Sequence, residues 1–295
     1  MVGGEGKGGR ARRRPARDEP LWPAGALLLC AAFASMKGYH IMSGAVVPAG
    51  LLSALRHVLS PPDDAGASVA ALWRPWPLPV AGGSVAALSL PALDALLGDI
   101  VPASLHPAIP GRCVRSRQLS FLAGRLCAEQ ALAALPLTAA VLGRDASGRP
   151  LWPAGVTGSI THSPTLAAAV AAWSPQTDGL GVDCEPLAAG ERLDDIVSAC
   201  CTAADRACLP SRAAGTMATL IFSAKEAGYK ALSHRFGRIV DFTEFEVCQL
   251  ARDAGQLWLA PVPGSEWHRR IQPFAVQFTF DADSVYTLAD LRGIP

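Results

Sequence analysis

Between Thr219 and Leu232 the chain reads TLIFSAKEAGYKAL, with apolar residues recurring every three or four positions. That period predicts an amphipathic helix whose apolar face lies in a core. Lys225, Glu226 and Lys230 interrupt the apolar pattern, and Glu226 and Lys230, four apart, share one side of the helix. A carboxylate beside two lysines fits an exposed ion pair, and equally fits half of a phosphate site. Residues elsewhere in the chain must discriminate.

Lysine is scarce enough to make this helix informative. Only four of the 26 basic residues are lysines (Lys7, Lys37, Lys225 and Lys230), and two of them fall here. Arg does not replace the compact, mobile ammonium of Lys near phosphate. With 17% charged residues and a net charge of +1, the composition argues against a generally basic nucleic-acid binder. A chain of 295 residues, half of them hydrophobic, can bury a core as one large domain or two small ones. The eight cysteines show no CxxC pair and no regular spacing, so they read as reduced, buried thiols rather than zinc ligands or a disulfide framework.

Residues 1–20 are rich in Gly and Arg and are expected to be disordered. Leu21–Ala34 is an apolar run shorter than the roughly 20 residues of a membrane span. Its basic flank and the small residues before Ser35 resemble a secretory signal; the competing reading is an upstream extension ahead of Met36 or Met42. From Met42 to Gly111, Pro and Gly punctuate short apolar runs such as Val85–Leu90, which predict short strands and a helix or two.

Arg117–Leu135 predicts a helix with Phe121, Leu122, Leu126 and Ala133 as its buried stripe, ended by Pro136. Arg112, Arg115, Arg117 and Arg125 gather at and before it, as a solvated face would. Leu166–Trp173 and Leu180–Cys184 are expected to pair as a β-hairpin. Asp183 and Glu185, two apart, then project from one face at a strand end. Such carboxylates repel unless a cation lies between them, and Mg²⁺ takes carboxylates together with waters and phosphates. A solvent-facing strand end fits the spacing as well. Cys200–Leu209 reads as helical, Pro210–Gly215 as a loop, and Val240–Leu250, Gln256–Ala260, Phe274–Phe280 and Ser284–Leu291 as strands of a terminal antiparallel sheet.

GSITHS (Gly158–Ser163), GVDCE (Gly181–Glu185) and FSAKEAGYKAL (Phe222–Leu232), in that order, resemble the Sfp-type 4′-phosphopantetheinyl transferases. The nearest branch is the one like component D of enterobactin synthase. The family signature is G-[IV]-D-x-E followed by [FW]-S-x-K-E-[AS]-x-x-K. FLAGRLCA (Phe121–Ala128) and GRPLWP (Gly148–Pro153) are similar to further segments of that branch, so the resemblance runs from about Arg112 to Asp241. Thr161 stands where the family usually has Ser, which keeps the hydroxyl, and Cys184 where it usually has Ile. Gly228 lies inside the motif helix, at about 1 kcal/mol against Ala.

The resemblance implies an α+β fold of two similar α/β halves related by a pseudo-twofold, with the active site in the cleft between them. Residues 1–41 would be an N-terminal extension, 42–157 the first half and 158–295 the second. It also implies transfer of the phosphopantetheine arm of coenzyme A to a serine of an acyl, peptidyl or aryl carrier protein, with Mg²⁺, releasing 3′,5′-ADP. Carried over by position, Asp183, Glu185 and Glu226 would hold the metal. Lys230 would meet the pyrophosphate with Lys225 beside it, and Glu226 would also serve as base. Thr161 and His162 match the pair that meets the 3′-phosphate of coenzyme A, and Arg149 a base near the nucleotide. Arg115, Arg117 and Arg125 fall where nucleotide phosphates are held. The implied protein is a cytoplasmic monomer without nucleic-acid or membrane partners, active in siderophore or other non-ribosomal peptide or polyketide pathways. Two alternatives stand beside it: a non-catalytic coenzyme A or nucleotide-binding module on the same fold, and an exported protein.

Overall fold

Leu166–Trp173 is apolar at every position, a composition suited to a strand covered on both faces. In the structure, a computed structural model, it is an interior strand of the first of two sheets. The described residues are 70–292, apart from 106–108, 110–111, 136–141, 146–147, 175–176 and 237. The expectations for residues 1–69, including the extension and the run Leu21–Ala34, lie outside them.

In chain order the elements are β1 (Trp73–Arg74), β2 (Gly83–Ser89), α1 (Leu90–Leu97), α2 (Arg115–Ala133), β3 (Gly143–Arg144), β4 (Pro150–Leu151), β5 (Val156–His162), β6 (Leu166–Trp173) and β7 (Leu180–Pro186). There follow α3 (Glu191–Cys200), α4 (Ala203–Ala207), α5 (Ala214–Leu232), β8 (Phe245–Ala251), β9 (Gln256–Pro261), β10 (Phe274–Phe280) and β11 (Ser284–Asp290). The first sheet has the order β1-β2-β6-β5 and the second β7-β11-β10-β9-β8, with every pairing antiparallel; β3 and β4 form a separate small ladder. The class is therefore α+β.

Helix α2 covers the first sheet through Leu119, Leu122, Ala123, Leu126 and Leu132; Ala133, expected in that stripe, is exposed. Helix α5 covers the second sheet, with Leu220, Ile221, Ala224 and Ala227 packed among Leu257, Leu259, Phe274 and Val276. Each buried Leu, Ile or Phe contributes roughly 1.5–3 kcal/mol relative to exposure. Gly228 is needed here, because a Cβ at that position would come within 3.0 Å of the Phe274 ring.

The hairpin expected between Leu166–Trp173 and Leu180–Cys184 does not form. β6 pairs with β5 and β2, whereas β7 pairs with β11 at the far end of the chain. Both strands are largely buried on both faces, so their pattern carries no information about which neighbour each takes. β5 belongs with the first sheet, and the chain passes from the first sheet to the second between Trp173 and Leu180.

Across the seam β5 and β7 meet through side chains, the Val182 N–H donating to Ser159 Oγ at 3.2 Å. Val170, Val182 and Leu288 close the seam with apolar contacts. On its other side β7 lies almost directly on the backbone of α5. A Cβ on Gly181 would sit 1.8 Å from the Ala227 carbonyl oxygen, and one on Gly179 would sit 2.2 Å from that of Ala231. Only glycine permits this approach.

Gly181→Ala is therefore expected to destabilise the protein by about 2 kcal/mol or more, at the upper part of the usual cost of overpacking. A denaturant midpoint equal to that of the wild type would contradict the contact.

Candidate active site

Because β7 lies against α5, the Asp183 carboxylate is 3% exposed and faces the side of the helix that carries Ser223, Glu226 and Lys230. These helix positions are three and seven apart, one face by helical geometry. Asp183 Oδ1 accepts from Lys230 Nζ at 2.8 Å and from Thr161 Oγ1 of β5 at 2.9 Å. Oδ2 accepts from Ser223 Oγ at 2.8 Å. Lys230 Nζ also donates to Val182 O at 3.0 Å and to Thr161 Oγ1 at 3.3 Å, so its three protons are all engaged. Burial alone would lower the Lys230 pKa, but Asp183, Glu226 and Glu185 more than offset it and the net direction is upward.

Glu226 is different. It is 5% exposed, yet among the described residues it makes no hydrogen bond or ion pair. Burial pushes its carboxyl up to about 7; Lys230 opposes that rise and Asp183 adds to it. Glu185, at the outer end of the group, is held by Arg192 Nη2 of α3 at 2.5 Å, while Arg192 Nη1 donates to Pro186 O at 2.7 Å. Burial followed by repulsion from Asp183 pushes Glu185 up to about 8, against the pull of Arg192.

Two carboxyls raised by burial and by the charge of Asp183, one of them without a hydrogen-bond partner among the described residues, suit a divalent cation. Among the described residues no group of three or more His, Cys, Asp or Glu side chains stands together as a metal-holding cluster. Carboxylate is nonetheless the donor type that Mg²⁺ takes together with water and phosphate.

Cationic groups line the neighbouring side of the seam. Arg117 Nη1 lies 3.4 Å from His162 Nε2. Burial, then the charges of Arg117 and Lys230, push His162 down to about 4, which leaves it neutral and able to accept from Arg117. Arg125 is 4% exposed, with its guanidinium 4.8 Å over the Phe121 ring and its Nη1 without a hydrogen-bond partner among the described residues. Burial and then Arg144 lower its pKa to about 10. That open N–H, beside a second arginine, is a donor that the described residues leave unused.

Two expected site residues are engaged elsewhere. Lys225, expected beside the pyrophosphate, donates from Nζ to Asp205 at 2.6 Å and to Cys200 O at 2.7 Å, both buried. Neighbouring helix positions point about 100° apart, so Lys225 cannot share the Glu226–Lys230 face. Arg149 is bonded to Asp145 at 3.0 Å and to the Ser233 carbonyl, just past α5, at 3.3 Å. Arg115, in the basic cluster, is anchored on Asp94, Gly98 O and Ile100 O.

Ser223, Thr287, Arg192 and Arg144 were not singled out from the sequence. Ser223 was within reach, since it precedes Glu226 by three positions on the same helix. Thr287 reaches Asp183 through strand pairing and Arg144 reaches Arg125 and Phe121 through packing, and their local sequence does not mark them.

Residues 107–172 match the profile of the 4′-phosphopantetheinyl transferase N-terminal domain, and residues 179–288 that of the 4′-phosphopantetheinyl transferase superfamily. The chain is 35% identical over 159 residues to the 4′-phosphopantetheinyl transferase Npt of Nocardia iowensis, covering 51% of this chain and 70% of that protein. It is 32% identical over 163 residues to the 4′-phosphopantetheinyl transferase PptT of Mycobacterium tuberculosis, covering 50% and 70%. To the enterobactin synthase component D of Salmonella typhimurium it is 29% identical over 188 residues, covering 63% and 77%.

Removing one partner of a buried ion pair leaves the other charge uncompensated, at about 3–5 kcal/mol. Lys225→Met should therefore lower unfolding free energy on that scale while the folded fraction keeps its affinity for nucleotide. Wild-type stability together with lost nucleotide binding would return Lys225 to the site.

Proposed function

The chain belongs to the 4′-phosphopantetheinyl transferase superfamily, and we propose that its centre moves the 4′-phosphopantetheine arm of coenzyme A to a serine of an apo acyl, peptidyl or aryl carrier protein. The observation that carries this assignment to particular residues is Glu226, a buried carboxylate without a partner, set beside an Asp183 that three donors hold in place.

The serine oxygen attacks the β-phosphorus of coenzyme A, and the bond to the 3′,5′-ADP oxygen breaks. Glu226, buried beside Asp183 and without a hydrogen-bond partner among the described residues, takes the serine proton as the new P–O bond forms. Asp183, Glu185 and Glu226 would hold Mg²⁺, which when bound neutralises charge on the pyrophosphate. Lys230 keeps a positive charge next to that position through its contact with Asp183. Arg117, aimed by His162, and Arg125 with Arg144 hold the phosphates of the nucleotide through charge-assisted hydrogen bonds. Thr161 ties the two sheets at the same point.

The two halves are read as related by a pseudo-twofold, since each lays one long helix, α2 or α5, on an antiparallel sheet, and the site lies along their seam. Coenzyme A and apo carriers place the reaction in the cytoplasm, and no helix of the described residues is long and apolar enough to cross a membrane. The enzyme is proposed to act as a monomer, in siderophore or other non-ribosomal peptide or polyketide synthesis.

Glu226→Gln and, separately, Asp183→Asn should reduce transfer of label from coenzyme A to an apo carrier by about 10²-fold or more, the usual scale for loss of acid–base catalysis. Full transfer by either variant would overturn the assignment.

A further inference from the structure

Thr287 and Ser223 are fully buried beside Asp183. Thr287 sits on β11 directly opposite Asp183 of β7 in the strand register. Its Oγ1 is 2.9 Å from Ser223 Oγ and 3.0 Å from Ser223 O. A hydroxyl has one proton to give, and that of Ser223 goes to the acceptor-only carboxylate of Asp183 at 2.8 Å. Thr287 donates to the Ser223 carbonyl, and with the Ser223 proton committed to Asp183 the same Thr287 proton is shared with Ser223 Oγ in a three-centre bond, so the hydrogen bonds run from Thr287 to Ser223 to Asp183.

This direction has a consequence for Ser223. A serine within a helix ordinarily turns its hydroxyl back to the carbonyl one turn earlier. Here Thr287 holds the Ser223 oxygen as an acceptor and leaves its proton pointing at Asp183. Without the Thr287 hydroxyl, Ser223 is free to bond back to its own helix, and Asp183 Oδ2 loses its donor. Lys230 and Thr161, both on Oδ1, would then hold the carboxylate by one oxygen alone.

We propose that Thr287 and Ser223 are positioning residues that fix the rotamer of Asp183, and through it the placement of metal and pyrophosphate. The inference rests on the reading of Asp183 as part of the transferase centre. Partners of this kind behind metal-binding carboxylates are typically worth 10–100-fold in affinity or activity.

The test uses two near-isosteric variants of the full chain, Thr287→Val and Thr287→Ser, together with Ser223→Ala. Three readouts are taken: thermal midpoint, kcat and KM for coenzyme A with an apo carrier, and Mn²⁺ affinity by electron paramagnetic resonance. Thr287→Val keeps the shape and removes the donor, so Mn²⁺ affinity and kcat should fall by roughly 10-fold or more, with KM for coenzyme A and the midpoint nearly unchanged. Thr287→Ser keeps the donor and should hold wild-type Mn²⁺ affinity and kcat even if its midpoint falls. Ser223→Ala should match Thr287→Val. Wild-type Mn²⁺ affinity in Thr287→Val, or equal loss in Thr287→Ser and Thr287→Val, would overturn the relay. If the wild type modifies no carrier, the transferase reading fails instead, and the Mn²⁺ titration alone decides the relay by the same criterion.

Discussion

The centre depends on strand β7 lying so close to helix α5 that Gly181 has no room for a Cβ beside the Ala227 carbonyl. At that separation, side chains two positions further along the strand reach the helix face directly, and Asp183 meets Ser223 and Lys230 at 2.8 Å each. On the opposite side β5 supplies Thr161 to the same carboxylate. One buried acid thus joins the two sheets and the motif helix.

The charges around it divide the work. Asp183 has donors on both oxygens, and Lys230 has used all three of its protons, so this pair is a fixed electrostatic frame. Glu226 stands in that frame with no hydrogen-bond partner of its own among the described residues, and its pKa is pushed up to about 7. A frame that is already satisfied costs little to reorganise when charge develops, which is the condition for electrostatic catalysis. The anion-facing arginines show the complementary pattern: Arg125 is buried with an open N–H, and a neutral His162 accepts from Arg117. Lys225 and Asp205, by contrast, neutralise one another away from the centre and also tie α4, α5 and β8 through the Val247 N–H.

Much of the centre could be read from spacing. Asp183 and Glu185 at alternate strand positions, and Glu226 and Lys230 one turn apart, are local relations that the backbone preserves. The terminal antiparallel sheet follows from the same periods, and the α+β class is implied by the family resemblance. What the sequence hid is of two kinds. Lys225 and Lys230 look alike in the motif, and only their direction around the helix separates a buried structural pair from a site group. The partners of β6 and β7, and the arrival of Thr287 beside Asp183, depend on which strands find each other across long separations, which alternation does not encode.

The central claim is that Asp183, Glu185 and Glu226 gather one divalent cation against the pyrophosphate of coenzyme A. Anomalous diffraction from crystals grown with Mn²⁺ and coenzyme A tests it most directly. The account predicts one strong peak within ligand distance of Glu226, of Asp183 or Glu185, and of the pyrophosphate oxygens. A peak held by the phosphates alone, with Glu226 turned away from it, would contradict the account.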